Sequence, residues 1–120
     1  SYDVFPHAGD WRVAGTEHRA RRLNQPLRVF QTVPHPGPLG KTLSLASLST
    51  PQVDIRSIKF AEESDHVIVR LQELQGLPAE NVRVSFAAPI VEAFECDAQE
   101  RRIGPATVTH GALEFDATPY

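Results

Sequence analysis

The sequence contains no methionine, one cysteine and one tryptophan, and only 8% of its residues are aromatic. Each scarcity excludes something. Cys96 has no second cysteine to pair with, so the chain is not a small fold stapled by internal disulfides, and a reducing compartment is allowed. No apolar run approaches the roughly 20 residues of a membrane-spanning helix, and no signal-like leader opens the chain. A basic surplus is also missing. The formal net charge of −3 argues against a general nucleic-acid binder, which carries excess Lys and Arg. The expected setting is therefore cytoplasmic, with no membrane and no nucleic acid as partner. The absence of Met, a start at SYDVF and an end at ATPY, directly after an apolar alternation, predict a piece of a longer protein.

What remains is ordinary for a globular chain: 41% hydrophobic and 22% charged residues. With 120 residues it makes one domain, and a domain of this size hides roughly two thirds of its unfolded surface.

Periodicity divides the chain near residue 41. Residues 1–41 read as a lead-in. YDVFP, residues 2–6, resembles a strand end stopped by Pro6. Asp10 is placed to cap a helix in which Trp11, Ala14, His18 and Leu23 recur at helical spacing, weakened by Gly15 and ended before Asn24 and Pro26. The run HRARR, 18–22, reads as its solvated face. LRVFQTV, 27–33, reads as a strand, and PHPGPLGK, 34–41, as an extended loop.

Residues 42–120 read as sandwich strands. TLSLASL, 42–48, alternates. VDIRSIKF and HVIVRLQEL flank the polar cluster EESD, 62–65, and predict an antiparallel hairpin. Val53 and Ile55 are in one phase while Ile58 and Phe60 are in the other, so a bulge near Ser57 is required to put all four on one face. NVRVSF, 81–86, alternates cleanly, and IVEAFECD, 90–97, is a further strand. ATVT, 106–109, and LEFDA, 113–117, flank the turn His110-Gly111. Short strands at this spacing predict a mainly β fold, an antiparallel β-sandwich with one short N-terminal helix.

The chemistry-bearing residues do not gather. A zinc site needs three or four converging ligands, but the histidines, at 7, 18, 35, 66 and 110, are scattered, and no metal site is expected. Glu92 and Glu95 point to opposite faces of their strand, and Glu62, Glu63 and Asp65 sit in a solvated turn. No nucleophile elbow and no glycine-rich phosphate loop is present. No catalytic residue is assigned. The one compact polar and aromatic cluster is FPHAGDWR, 5–12. It is read two ways. Structurally, it turns the chain into the helix and pins it. Functionally, His7, Asp10 and Trp11 contact a carbohydrate, the indole stacking on a sugar face. The scarcity of aromatics weighs against a free-standing sugar-binding module, which presents several exposed rings.

The same residues carry a resemblance. YDVFPHAGDWR followed by a helix ending in RLNQPL resembles the C-terminal β-rich region of glycoside hydrolase family 38, the α-mannosidases. IRSIKFAEESDHVIVRLQEL is similar to the family's strand–hairpin–strand element, and ECDAQERRIGP and LEFDATPY to its closing strands. The resemblance implies a parent enzyme that cleaves terminal α-mannosides with retention, using zinc and a carboxylate nucleophile held in an N-terminal catalytic region. No position here matches those residues, so no cofactor is expected in this chain. The implied partners are the catalytic region of the same polypeptide and a mannose-containing glycan. The family pattern continues for one more strand, so an open sheet edge and a homo-oligomer are also expected. The alternatives are an independent carbohydrate-binding sandwich and a plain protein–protein interaction sandwich.

Overall fold

The computed structural model describes residues 2–119. It comprises two compact units, Ser1–Pro38 and Leu39–Tyr120.

In the first unit the single helix α1 spans Thr16–Asn24. It starts later than expected. Gly15 adopts a left-handed conformation, φ 64°, and separates α1 from a preceding turn over residues 11–15. Asp10 caps that turn and not the helix, accepting the Arg12 backbone N–H at 2.9 Å. The two strands predicted in this unit do not form. Residues 2–6 and 27–33 have no ladder partner, and Leu27, Val29, Phe30 and Val33 are exposed. The physical reason is that β propensity describes a fit to a neighbouring strand, and none lies beside them among the described residues of their unit.

Among its described residues the second unit holds eight strands: β1 Ala46–Leu48, β2 Val53–Phe60, β3 Val67–Glu73, β4 Ala79–Phe86, β5 Phe94–Cys96, β6 Arg102–Pro105, β7 Thr107–Thr109 and β8 Ala112–Ala117. They form a four-stranded sheet in the order β1-β4-β8-β7 and two two-stranded sheets, β2-β3 and β5-β6, all antiparallel. The mainly β architecture with one short helix is as expected. Two strands are shorter than their sequence pattern. Only 46–48 of the 42–48 alternation is paired, and only 94–96 of 90–97. Residues 90 and 93 spend their backbone groups elsewhere: Ile90 N–H donates to Gly111 O and Ala93 O accepts from Ala106 N–H. Alternation does not single out β6, because RRIGP carries none, but β6 lies in the ECDAQERRIGP segment that resembles a closing strand.

The core lies between two layers. Val53 of β2 packs with Ala79 and Val82 of β4, and Leu48, Leu71, Phe115 and Ala117 close around them. The bulge required near Ser57 is there: the β2–β3 register shifts between Ile55 and Ser57. Arg56 is therefore the extra residue, and Val53, Ile55, Ile58 and Phe60 all face the same side, opposite Glu73, Leu71, Val69 and Val67. On the outer face of the large sheet Arg83 stands directly opposite Glu114 and donates to its Oε1 at 3.2 Å.

The β7–β8 hairpin closes through His110, φ 50°, and Gly111, φ 74°. Two consecutive positive φ values are the signature of the tight hairpin turn whose twist matches that of the strands. A Cβ at Gly111 would also lie 2.9 Å from Pro89 Cβ. Gly111→Ala is expected to destabilise the second unit by about 2 kcal/mol, from left-handed strain plus the clash. Urea denaturation of the two proteins checks this, and equal midpoints would refute it.

Candidate functional site

His7, Asp10 and Trp11 sit in the first unit on the approach to α1. Gly9, φ 76°, bends the chain so that Asp10 meets the 11–15 turn. The Asp10 carboxylate accepts the Arg12 N–H and, at 3.0 Å, the Arg12 guanidinium. Those bonds, the backbone one first, and the nearby His7 hold its carboxyl below the usual aspartate range. The same Arg12 guanidinium lies over the Trp11 ring at 4.5 Å. One face of the indole is thus occupied, and the residue keeps 37% of its surface exposed. Phe5 is flanked by the His7 ring at 5.7 Å and the Arg19 guanidinium at 4.0 Å. The segment therefore brings His7 and Asp10 within electrostatic reach, while Trp11 is partnered by Arg12. No hydrogen bond or ring contact joins the indole to His7 or Asp10 among the described residues.

In the second unit the polar groups that matter are ones the sequence reading passed over. Glu73 is a buried carboxylate at the end of β3. It accepts the N–H of Gln75 at 2.7 Å, the N–H of Gly76 at 2.7 Å and the Gln52 side-chain amide at 3.1 Å. Burial alone pushes its carboxyl up, but these donors and the Leu77 N–H together bring it below its ordinary value of 4.5. The available signal was an acid ending a strand just before QGLP, where a short acidic side chain can gather loop N–H groups. Asp97 plays the same part in the β5–β6 turn, accepting from the N–H groups of Gln99 and Arg101 and from the Arg101 guanidinium. That turn presents Glu100 to Lys59 Nζ and to the Glu62 N–H, which ties it to the β2–β3 hairpin. The Lys59 ammonium holds the Glu100 carboxyl below its usual range, and Glu100 in turn raises Lys59.

Among the described residues no group of three or more His, Cys, Asp and Glu side chains is placed to hold a metal ion. Among the same residues no helix is long and apolar enough to cross a membrane.

Fold and polar groups together define a β-sandwich domain in which the Glu73 and Asp97 carboxylates organise loops. Residues 52–120, more than half of the chain, match the glycosyl hydrolases family 38 C-terminal beta sandwich domain, and the chain belongs to that family. The match begins after the FPHAGDWR segment, which lies in the first unit. No curated protein and no solved structure matched the chain.

Glu73→Ala is expected to cost about 3 kcal/mol, since it leaves loop N–H groups without their charged acceptor. The sign of the pH effect follows from the lowered carboxyls. Their stabilisation is complete above the ordinary carboxylate range and is lost as pH falls through the folded values. Denaturant midpoints should therefore drop between about pH 5 and pH 3, and drop less in Glu73→Gln, measured from the variant's own neutral-pH midpoint. A wild-type midpoint flat across that range would refute this.

Proposed function

We propose that this chain is a non-catalytic accessory domain of a retaining, metal-dependent α-mannosidase, packing against the catalytic region of the same polypeptide and supporting carbohydrate binding. The observation that carries the reading is the family match over residues 52–120. Exposed apolar side chains such as Val91 and Ile103 are available for contact with another body. The described residues lack the donor set that zinc needs, so in this reading the metal belongs to the catalytic region. The isolated chain is expected to give no turnover of an aryl α-mannoside, while the full polypeptide hydrolyses it with retention. Turnover by the chain alone, or no mannosidase activity in the full polypeptide, would overturn the proposal.

A second reading, an independent carbohydrate-binding module, rests on the part of the Trp11 surface left exposed. A pyranose would stack on the indole in place of Arg12 or against its open edge. On this reading mannosides quench the Trp fluorescence, and Trp11→Ala abolishes binding on a glycan array. An unchanged spectrum and an equal array signal for both proteins would remove it.

A further inference from the structure

We propose that the free edge of β3 is a docking edge for a second copy of this chain, joined antiparallel, strand to strand, about a two-fold axis at Val69. The backbone phase identifies the atoms. Ala61 N–H donates to His66 O and Leu74 N–H donates to Gln52 O. Antiparallel pairs alternate between bonded and unbonded, so His66, Ile68, Arg70, Gln72 and Leu74 use their N–H and C=O groups toward β2. Val67, Val69 and Leu71 therefore aim theirs the other way. No strand lies on that side of β3 among the described residues.

The other edges are shorter or interrupted, β5 and β6 having three and four residues with Gly104-Pro105 ending β6, whereas β3 is long and regular and carries one cation, Arg70. The outer strands of the large sheet, β1 and β7, have three residues each. The edge of β2 carries the bulge and the cations Arg56 and Lys59. β3 runs for seven residues, VIVRLQE, with no Pro, Gly, Lys or bulge. A long regular edge of this kind pairs readily with another strand.

What selects a second copy is that the edge is complementary to itself. With Val69 opposite Val69 of the second copy, Val67 stands opposite Leu71 and Leu71 opposite Val67. The outward-aimed positions then pair apolar with apolar on one face. On the other face Arg70 meets Ile68, and Gln72 meets His66. The two Arg70 side chains are diagonal, each within electrostatic reach of its own Glu100. Sliding one copy by two residues sets Leu71 against Asp65, or Arg70 against Arg70 and Val67 against Glu73, whereas the Val69 register keeps its three central pairs apolar and brings like charges, Glu73 and Asp65, together only at the strand ends. In that register the half-exposed row at the hairpin tip, Phe60 at 74%, Val67 at 53% and Ile58 at 38%, becomes part of a continuous four-stranded face. Five residues per copy fall short of the about 800 Å² per partner of a standard interface, so a weak, concentration-dependent dimer is expected.

The test is sedimentation velocity of the 120-residue chain over a wide concentration range, with hydrogen exchange at both ends. The expected result is a doubling of mass at high concentration, with slowed exchange at the amides of Val67, Val69 and Leu71. Val69→Pro removes one outward N–H without touching the β2 ladder, and Val67→Lys places a charge on the edge. Both should stay monomeric with an unchanged circular dichroism spectrum. If Val69→Pro does not fold, Val67→Lys decides: a monomer supports the proposal and a dimer overturns it. A chain that stays monomeric throughout overturns it too. A dimer whose three edge amides exchange as in the monomer, joined through residues 27–33 or another surface, also refutes it.

Discussion

Glu73 sits where the two layers of the second unit are joined. The chain leaves β3 at Glu73 and enters β4 at Ala79, passing from the hairpin layer to the large sheet in a five-residue loop. Leu74 at the start of that loop is buried, and its N–H donates to Gln52 O. The carboxylate holds the loop by accepting N–H groups from Gln75 and Gly76, and Gln52 binds the same carboxylate while its amide also donates to Leu77 O and Pro78 O. A buried charge with no partner would cost several kcal/mol, but one filled by oriented donors becomes a template for the loop. Because the loop is fixed, Ala79 enters β4 buried beside Val53 and Val82, and the two layers meet at the core.

The second constraint is phase. A strand keeps one face toward the core only if its alternation is unbroken, and VDIRSIKF breaks at Arg56. The bulge absorbs that residue and returns Ile58 and Phe60 to the face that Val53 began. The result is an apolar stripe that outruns the core. Val53 is fully buried at one end, while Phe60 and Val67 stand open at the other. The Lys59–Glu100 ion pair holds the opposite face of the same hairpin against the β5–β6 turn. The continuous stripe is thus the consequence of one inserted residue.

These constraints explain which parts of the fold were legible in the sequence. The β2–β3 hairpin, its bulge and the His110-Gly111 turn could be read because each depends on residues near one another in the chain: a phase slip between Ile55 and Ile58, or a glycine where φ must be positive. LRVFQTV has equally good strand composition, yet a strand exists only beside a partner, and partnership is not written in the segment itself. Gly15 was visible as a weak point in the helix, but its left-handed φ, which moves the start of α1 to Thr16, was not. The Asp10–Arg12 pairing at the candidate sugar site is local. The stacking of Arg12 on Trp11 depends on rotamers that spacing does not reveal. Glu73 was missed because its partners come from both sides of the hairpin, Gln52 before it and Gly76 after it.

The acids of the domain share one use. A general acid in glycoside cleavage needs a carboxyl whose proton is retained near neutrality, which requires burial without compensating donors or a close like charge. The carboxyls shifted here, Asp10, Glu73, Asp97 and Glu100, all move the other way. Each is committed to backbone N–H groups, and three of them also meet a cation. Asp116 follows the same habit, accepting the N–H of Asn81 at its left-handed turn of backbone. Carboxylates spent on fixing loops are poor proton donors, and loops so fixed make a firm surface. That combination gives this glycosyl hydrolases family 38 C-terminal beta sandwich domain fixed loops and a firm surface.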